Sequence, residues 1–131
     1  MAIKIMIADD HSMIREGLKS LLELEGDIQV VAEAEDGVDC LEKLKICTPD
    51  VLLLDINMPR KNGLEVLQTL KSSKSKIKVL VLTTDVFFHT VSKYLTGIIR
   101  MRRSLQELRE FPSQVYVYTL ARMKSRVYLV D

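Results

Sequence analysis

Carboxylates stand at the ends of two apolar runs. "IKIMIADD" (3–10) closes on Asp9 and Asp10, and "DVLLLDI" (50–56) carries Asp55 directly after Val51 to Leu54. A third apolar run, "KIKVLVLTT" (76–84), closes on the hydroxyls of Thr83 and Thr84. Laid side by side, these runs would bring three acids and the hydroxyls into one crevice. Carboxylates crowded in that way repel and are costly to ionise without a counter-charge. An oxygen-lined acidic cluster suits a hard divalent cation, above all Mg²⁺, which keeps waters and also takes a phosphate oxygen. Phosphoryl chemistry is the natural companion. An aspartate at the centre of such a site can itself be the nucleophile and form an aspartyl phosphate. Thr83 would then donate a hydrogen bond to a phosphoryl oxygen. Behind Asp55 comes "NMPRKNG" (57–63). Pro59 fixes φ and Gly63 permits positive φ, so both are expected to shape the turn after the nucleophile.

Each of these residues also has an ordinary reading. A lone acid at a strand end is usually a helix cap or a solvated loop residue, and Asp9-Asp10 ahead of a helix is a natural N-cap with a dipole partner. The joint pattern, with acids closing two strands and hydroxyls a third, is what singles the set out. His11 follows the acids and His89 is isolated, and neither has ligand spacing. Arg60 and Lys61 read as an exposed loop, and "KSSKSKIK" (71–78) as a solvated connection.

The elements that must position these groups alternate along the chain. "SMIREGLKSLLELEG" (12–26) places Ile14, Leu18, Leu21 and Leu22 at helical spacing, with Gly26 as a stop. "DIQVVAEA" (27–34) is short and β-branched. "DGVDCLEKLKICTP" (36–49) reads as a helix with Val38, Leu41, Leu44 and Ile46 apolar and Pro49 beyond its end. "NGLEVLQTLKSS" (62–73) puts Leu64, Leu67 and Leu70 on one side of another. Strands alternating with helices imply parallel pairing through right-handed crossovers. Near-continuous apolar strands imply a sheet covered on both faces. The fold class is therefore α/β, a doubly wound parallel sheet, with ligands at the C-terminal ends of its strands.

Composition narrows the function. The 131 residues suffice for one domain, 47% of them are apolar, and the net charge is +1. Nothing in that balance points to a nucleic-acid or anionic-membrane binder. No run approaches the roughly 18 apolar residues of a membrane helix. Lys4 interrupts the first apolar stretch, and no signal-peptide pattern is expected there. Cys40 and Cys47 would share one helix face as buried or idle thiols, which fits a reduced, cytoplasmic setting.

Four stretches carry a family resemblance: "IMIADDHSMIREGL", "VVAEAEDGVDCLEKL", "PDVLLLDINMPRKNGLEVL" and "IKVLVLTT". They resemble the receiver domain of two-component response regulators. The "DDH" and "R-x-G-L" style is similar to the subfamily whose receivers precede a LuxR/NarL-type helix-turn-helix. The resemblance covers about residues 2 to 84. It implies a flavodoxin-like, five-stranded parallel sheet in order 2-1-3-4-5. It implies that Asp55 accepts a phosphoryl group from a sensor histidine kinase. Asp9, Asp10 and Asp55 would hold Mg²⁺ with the backbone carbonyl of Asn57, and Thr83 would be the switch hydroxyl. The expected role is a non-enzymatic phosphoacceptor from a transcriptional regulator whose DNA-binding domain is absent here. A phosphatase of the dehalogenase type wants D-x-D, whereas this chain has D-I-N.

The resemblance runs out after Thr84. The family continues with a helix, a "G-Y-x-x-K" strand whose lysine pairs with the phosphoryl group, and a last helix. That spacing would put the lysine near Leu105, and residues 85–131 contain no K-D or K-P pair. Without that cation a transferred phosphoryl group loses charge stabilisation, and the alternative reading is a binding-only pseudo-receiver with an uncoupled switch. The break has two natural sources, a shift of reading frame and plain divergence, which the coding DNA separates. The pattern divides the chain into a receiver core (1–84) and an atypical tail (85–131) that completes or swaps the last part of the same domain. Residues 86–110 have the spacing of one long helix ended by Pro112, "QVYVYTLA" (114–121) alternates like a strand, and "SRVYLVD" (125–131) suits another. An open edge after Val79 and Val81 invites a strand from elsewhere. The expectation is a homodimer in which "QVYVYTL" pairs with a partner chain.

Overall fold

The computed structural model describes residues 2–24, 26–75, 77–83, 115–119 and 128–129. The elements are β1 (Ile3–Ala8), α1 (Ser12–Leu22), β2 (Ile28–Ala34), α2 (Gly37–Ile46), β3 (Val51–Asp55), α3 (Gly63–Ser72), β4 (Lys78–Thr83), β5 (Val115–Thr119) and β6 (Tyr128–Leu129).

The strands form one sheet in the order β2-β1-β3-β4-β5-β6. Every pairing through β5 is parallel, and β6 is antiparallel to β5. The apolar strands are continuous because both faces are covered, and alternate side chains go to different cores. Ile3, Ile5, Ile7, Val51, Leu53 and Leu80 pack on the face carrying Leu18 and Leu22 of α1. Met6, Ala8, Leu52, Leu54, Val79 and Val81 pack on the other, against Cys40 of α2 and Val66 and Leu70 of α3. Leu52, Leu53 and Leu54 are completely buried. Burial of each contributes about 1.5–3 kcal/mol relative to exposure. β1 and β2 shift register between Ile5 and Met6, so Val31 has no partner across the pair.

The doubly wound α/β expectation holds, with one correction at the far edge. The sheet carries six strands instead of the five that the resemblance implies, and the sixth runs antiparallel. Within the single chain, the strand expected from "QVYVYTL" lies on β4, with Val79 opposite Val115 and Thr83 opposite Thr119. The physical reason is the one that made the edge attractive. A row of unpaired backbone groups takes a matching strand, and here that strand is β5. The long helix over 86–110, the lysine position near Leu105, Pro112 and His89 lie outside the described residues.

Candidate acidic functional site

Three parallel strands end side by side at this site. Asp9 follows the last residue of β1, Asp55 is the last residue of β3, and Leu54 lies beside Ala8 across the pair. On the other flank, Asp55 pairs with Leu82, which brings Thr83 at the end of β4 one position beyond it. The parallel register alone therefore gathers the strand-end residues that the sequence singles out.

Asp9 and Asp55 are each 1% exposed, although both are charged residue types. Asp9 is held from several directions. Its Oδ1 accepts from the His11 backbone N–H at 2.8 Å and lies 2.8 Å from His11 Nδ1. Its backbone N–H donates to the Ala34 carbonyl at 3.0 Å, and its own carbonyl accepts from Arg15 Nη1. Arg15 Nε lies 3.6 Å from Glu33 Oε1, so one guanidinium ties α1 to both β1 and β2. Asp10 is more exposed and lies 3.1 Å from His11 Nδ1. Asp55 Oδ1 accepts from the Asn57 N–H at 3.1 Å.

Asp9 Oδ2 and Asp55 Oδ2 are buried and have no hydrogen-bond partner among the described residues. A buried carboxylate oxygen without a partner is costly. Donor atoms of Asp9, Asp10, His11 and Asp55 all lie within 4.8 Å of one another. Burial, followed by the charges of Asp9 and Asp10, pushes the Asp55 carboxyl up to about 6, against the hydrogen bond from Asn57. The hydrogen bond to Asp9 raises the His11 pKa, and the charges of Asp10, Asp9 and Asp55 push it the same way. The cluster is thus short of positive charge. Two orphaned oxygens in a mainly carboxylate donor set are what a hard cation would satisfy.

The loop after Asp55 differs from the sequence expectation in how it is shaped. Gly63 does not have positive φ; that conformation falls to Arg60, at φ 65°. Gly63 is required by close approach instead. A Cβ there would sit 2.5 Å from the Asp55 carbonyl oxygen and 2.8 Å from Ile56 Cα. Its N–H donates to the Ile56 carbonyl at 2.8 Å, which closes the loop. Asn62 then caps α3, accepting from the Glu65 N–H at 2.9 Å while Glu65 Oε1 accepts from the Asn62 N–H.

Sequence spacing missed two features. His11 has no ligand spacing, yet it contacts both acids; its position directly after them was the available signal. Arg60 was read as exposed loop, and its Nη1 lies 3.2 Å from Asp36 Oδ2, a partner 24 residues away. The cysteines are free, with Cys40 buried and Cys47 half-buried. A cleft at the opposite end of the strands, lined by Lys4, Cys47, Pro49 and Asp50, contains none of Asp9, Asp10 and Asp55.

Residues 5–98 match the response regulator receiver domain family. The transcriptional regulatory protein DegU of Brevibacillus brevis is 37% identical over 115 residues, covering 88% of this chain and 47% of DegU. LnrK of Bacillus subtilis, another transcriptional regulatory protein, is 48% identical over 82 residues, which is 63% of this chain and 37% of LnrK. The chain therefore spans under half the length of these two relatives. Among solved structures, the signal receiver domain of the response regulator NarL from Mycobacterium tuberculosis superposes with a TM-score of 0.60 at 32% identity, covering 77% of each chain. With strand-end acids on a flavodoxin-like sheet and a match over most of its length, the chain belongs to the receiver domain family of two-component response regulators, among relatives of the LuxR/NarL type.

Proposed function

We propose that this chain is a phosphoacceptor receiver in which Asp55 takes a phosphoryl group from a sensor histidine kinase. The observation that carries the reading is the pair of buried, unpartnered oxygens on Asp9 and Asp55 within one acidic cluster. Asp9, Asp10, Asp55 and the backbone carbonyl of Asn57 would hold Mg²⁺. When bound, the cation neutralises the crowded carboxylates and the charge of the incoming phosphoryl group. The chain's own residues do the rest. Burial on a central strand holds Asp55 still, and the Asn57 N–H orients one of its oxygens. An Asp55 oxygen attacks phosphorus as the bond to the donor nitrogen breaks and the departing imidazole takes up a proton from solvent, leaving an aspartyl phosphate and a neutral histidine on the kinase. Thr83, at the end of the adjacent strand, is the proposed switch hydroxyl.

Residues 1–84 form the receiver core in this reading, and residues 85–131 complete the same domain. The output would be transcriptional, through a DNA-binding domain outside this chain, as the names of DegU and LnrK support. A homodimer in this reading would keep the β4 edge covered by a β5 strand, from the same chain or swapped from the partner. Among the described residues no helix is long and apolar enough to cross a membrane, which agrees with a cytoplasmic partner of a kinase. The lack of a K-D or K-P pair in residues 85–131 favours a second reading, a binding-only pseudo-receiver.

Acetyl phosphate or beryllofluoride with Mg²⁺ separates the two. The phosphoacceptor reading expects one adduct, mapped to Asp55 by intact mass and peptide analysis and absent in Asp55→Ala. No adduct under any Mg²⁺ concentration supports the pseudo-receiver, and an adduct on another residue refutes the assignment.

A further inference from the structure

The loop between β3 and α3 begins at the proposed nucleophile and contains Asn57. It is tied to the start of α2, an element that contributes no acid to the site. Asp36 is 4% exposed and uses both carboxylate oxygens there. Oδ1 caps α2 by accepting from the Asp39 N–H at 2.8 Å, and Oδ2 lies 3.2 Å from Arg60 Nη1. One residue on, the Gly37 N–H donates to the Lys61 carbonyl at 3.0 Å. A Cβ on Gly37 would run into that same carbonyl, so the two backbones touch. Met58 anchors the loop from within, 7% exposed among the side chains of the α2–α3 core.

Between these ties the backbone is forced. The Lys61 N–H donates back to the Pro59 carbonyl at 2.8 Å, closing a three-residue turn centred on Arg60 with its positive φ. A left-handed backbone at a residue with a Cβ is strained, and it persists where the surroundings over-determine it. Glycine would remove that strain, yet the chain has an arginine, and the arginine reaches a buried carboxylate. Stability does not explain the choice. The Arg60 side chain is 62% exposed, and ion pairs so open to water contribute about 0–1 kcal/mol.

We propose that Arg60 is a positioning residue for the metal and phosphoryl site: paired with Asp36, it holds the β3–α3 loop so that the backbone following Asp55 is presented to the acidic cluster. This rests on the Mg²⁺ reading of that cluster given above. Such an outer tie acts through the residues it holds and contacts neither metal nor phosphoryl group. Contacts of this kind are typically worth 10–100-fold in metal affinity.

The test is Mg²⁺ titration of the full chain by calorimetry, alongside thermal unfolding. Arg60→Gly relieves the strained φ while deleting the pair. It is expected to keep its melting temperature and to weaken Mg²⁺ binding about 10-fold, the low end for outer contacts. Asp36→Asn keeps a good α2 cap and removes the charge, so it should reproduce the loss even if the glycine variant folds poorly. Arg60→Lys, which retains the cation, should recover most of the affinity. The double variant should bind no more weakly than either single one, because both break the same tie. Wild-type affinity in folded Arg60→Gly, or losses that simply add in the double variant, would overturn the inference. A wild-type chain that binds no Mg²⁺ would instead remove the metal reading on which it stands.

Discussion

At the residue scale, Asp55 combines two opposed requirements. The proposed nucleophile is held still on a buried strand, but burial beside two other acids disfavours its charge. Its pKa is raised to about 6, so the protonated form is favoured by the fold. Folding stability from this group is fully present below the ordinary carboxylate range and is lost as pH rises through about 6. With a chelator present, Asp55→Asn is therefore expected to gain more denaturant resistance at pH 7 than at pH 4. Addition of Mg²⁺ at pH 7 should stabilise the wild type and leave the variant little changed. Equal gains at both pH values would show that the fold does not raise the pKa of this carboxyl. Gly63 has a different constraint, since any Cβ there meets the Asp55 carbonyl and Ile56. Gly63→Ala should cost about 1–3 kcal/mol by overpacking and reduce beryllofluoride binding, both readable on one sample. Wild-type values for both would mean the loop has room that the close approach denies.

At the element scale, the helices that flank the site are fixed by their first residues. Asn62 and Glu65 form a reciprocal cap on α3, directly after the loop from Asp55. Asn62→Ala is expected to lower stability by about 1 kcal/mol, with circular dichroism melts as the check. Asp36 does the same for α2. Its carboxyl is held below the usual carboxylate range, first by the Asp39 N–H and then by the Arg60 guanidinium. That contribution is present above the ordinary carboxylate pKa and is lost as pH falls through the depressed one. Acid unfolding of Asp36→Asn should therefore depend less on pH than that of the wild type below pH 4. An identical acid transition in both would show that the cap carries no charge-dependent part.

At the scale of the whole molecule, the sheet ends in two strands from the last part of the chain, β5 and β6. β4 would otherwise present an unpaired apolar edge, and β5 covers it in parallel along five residue pairs. A chain ending at Glu110 lacks both β5 and β6 and is expected to aggregate or dimerise through the bared edge. The full chain at the same concentration should not do so by that route. Light scattering after size exclusion distinguishes them; a monodisperse monomer from the shortened chain would mean that the β4 edge needs no cover.

Local pattern by itself determined the elements. Val51 to Leu54 and Ile5 to Ala8 are apolar without a break, which suits a strand buried on both faces. The helical spacing of Leu18 and Leu22 names the side of α1 that meets the sheet. Strand-end placement of Asp9, Asp10 and Asp55 followed from the same pattern, since parallel strands bring their C-terminal ends to one edge. "QVYVYTL" read correctly as a strand because alternation is a local property. Which strand it would join is not local, and the tertiary structure placed it beside β4. Arg60 on Asp36 and the true constraint on Gly63 were likewise invisible in the sequence. Each depends on two segments meeting in space or on a backbone angle, and residue spacing along one chain encodes neither.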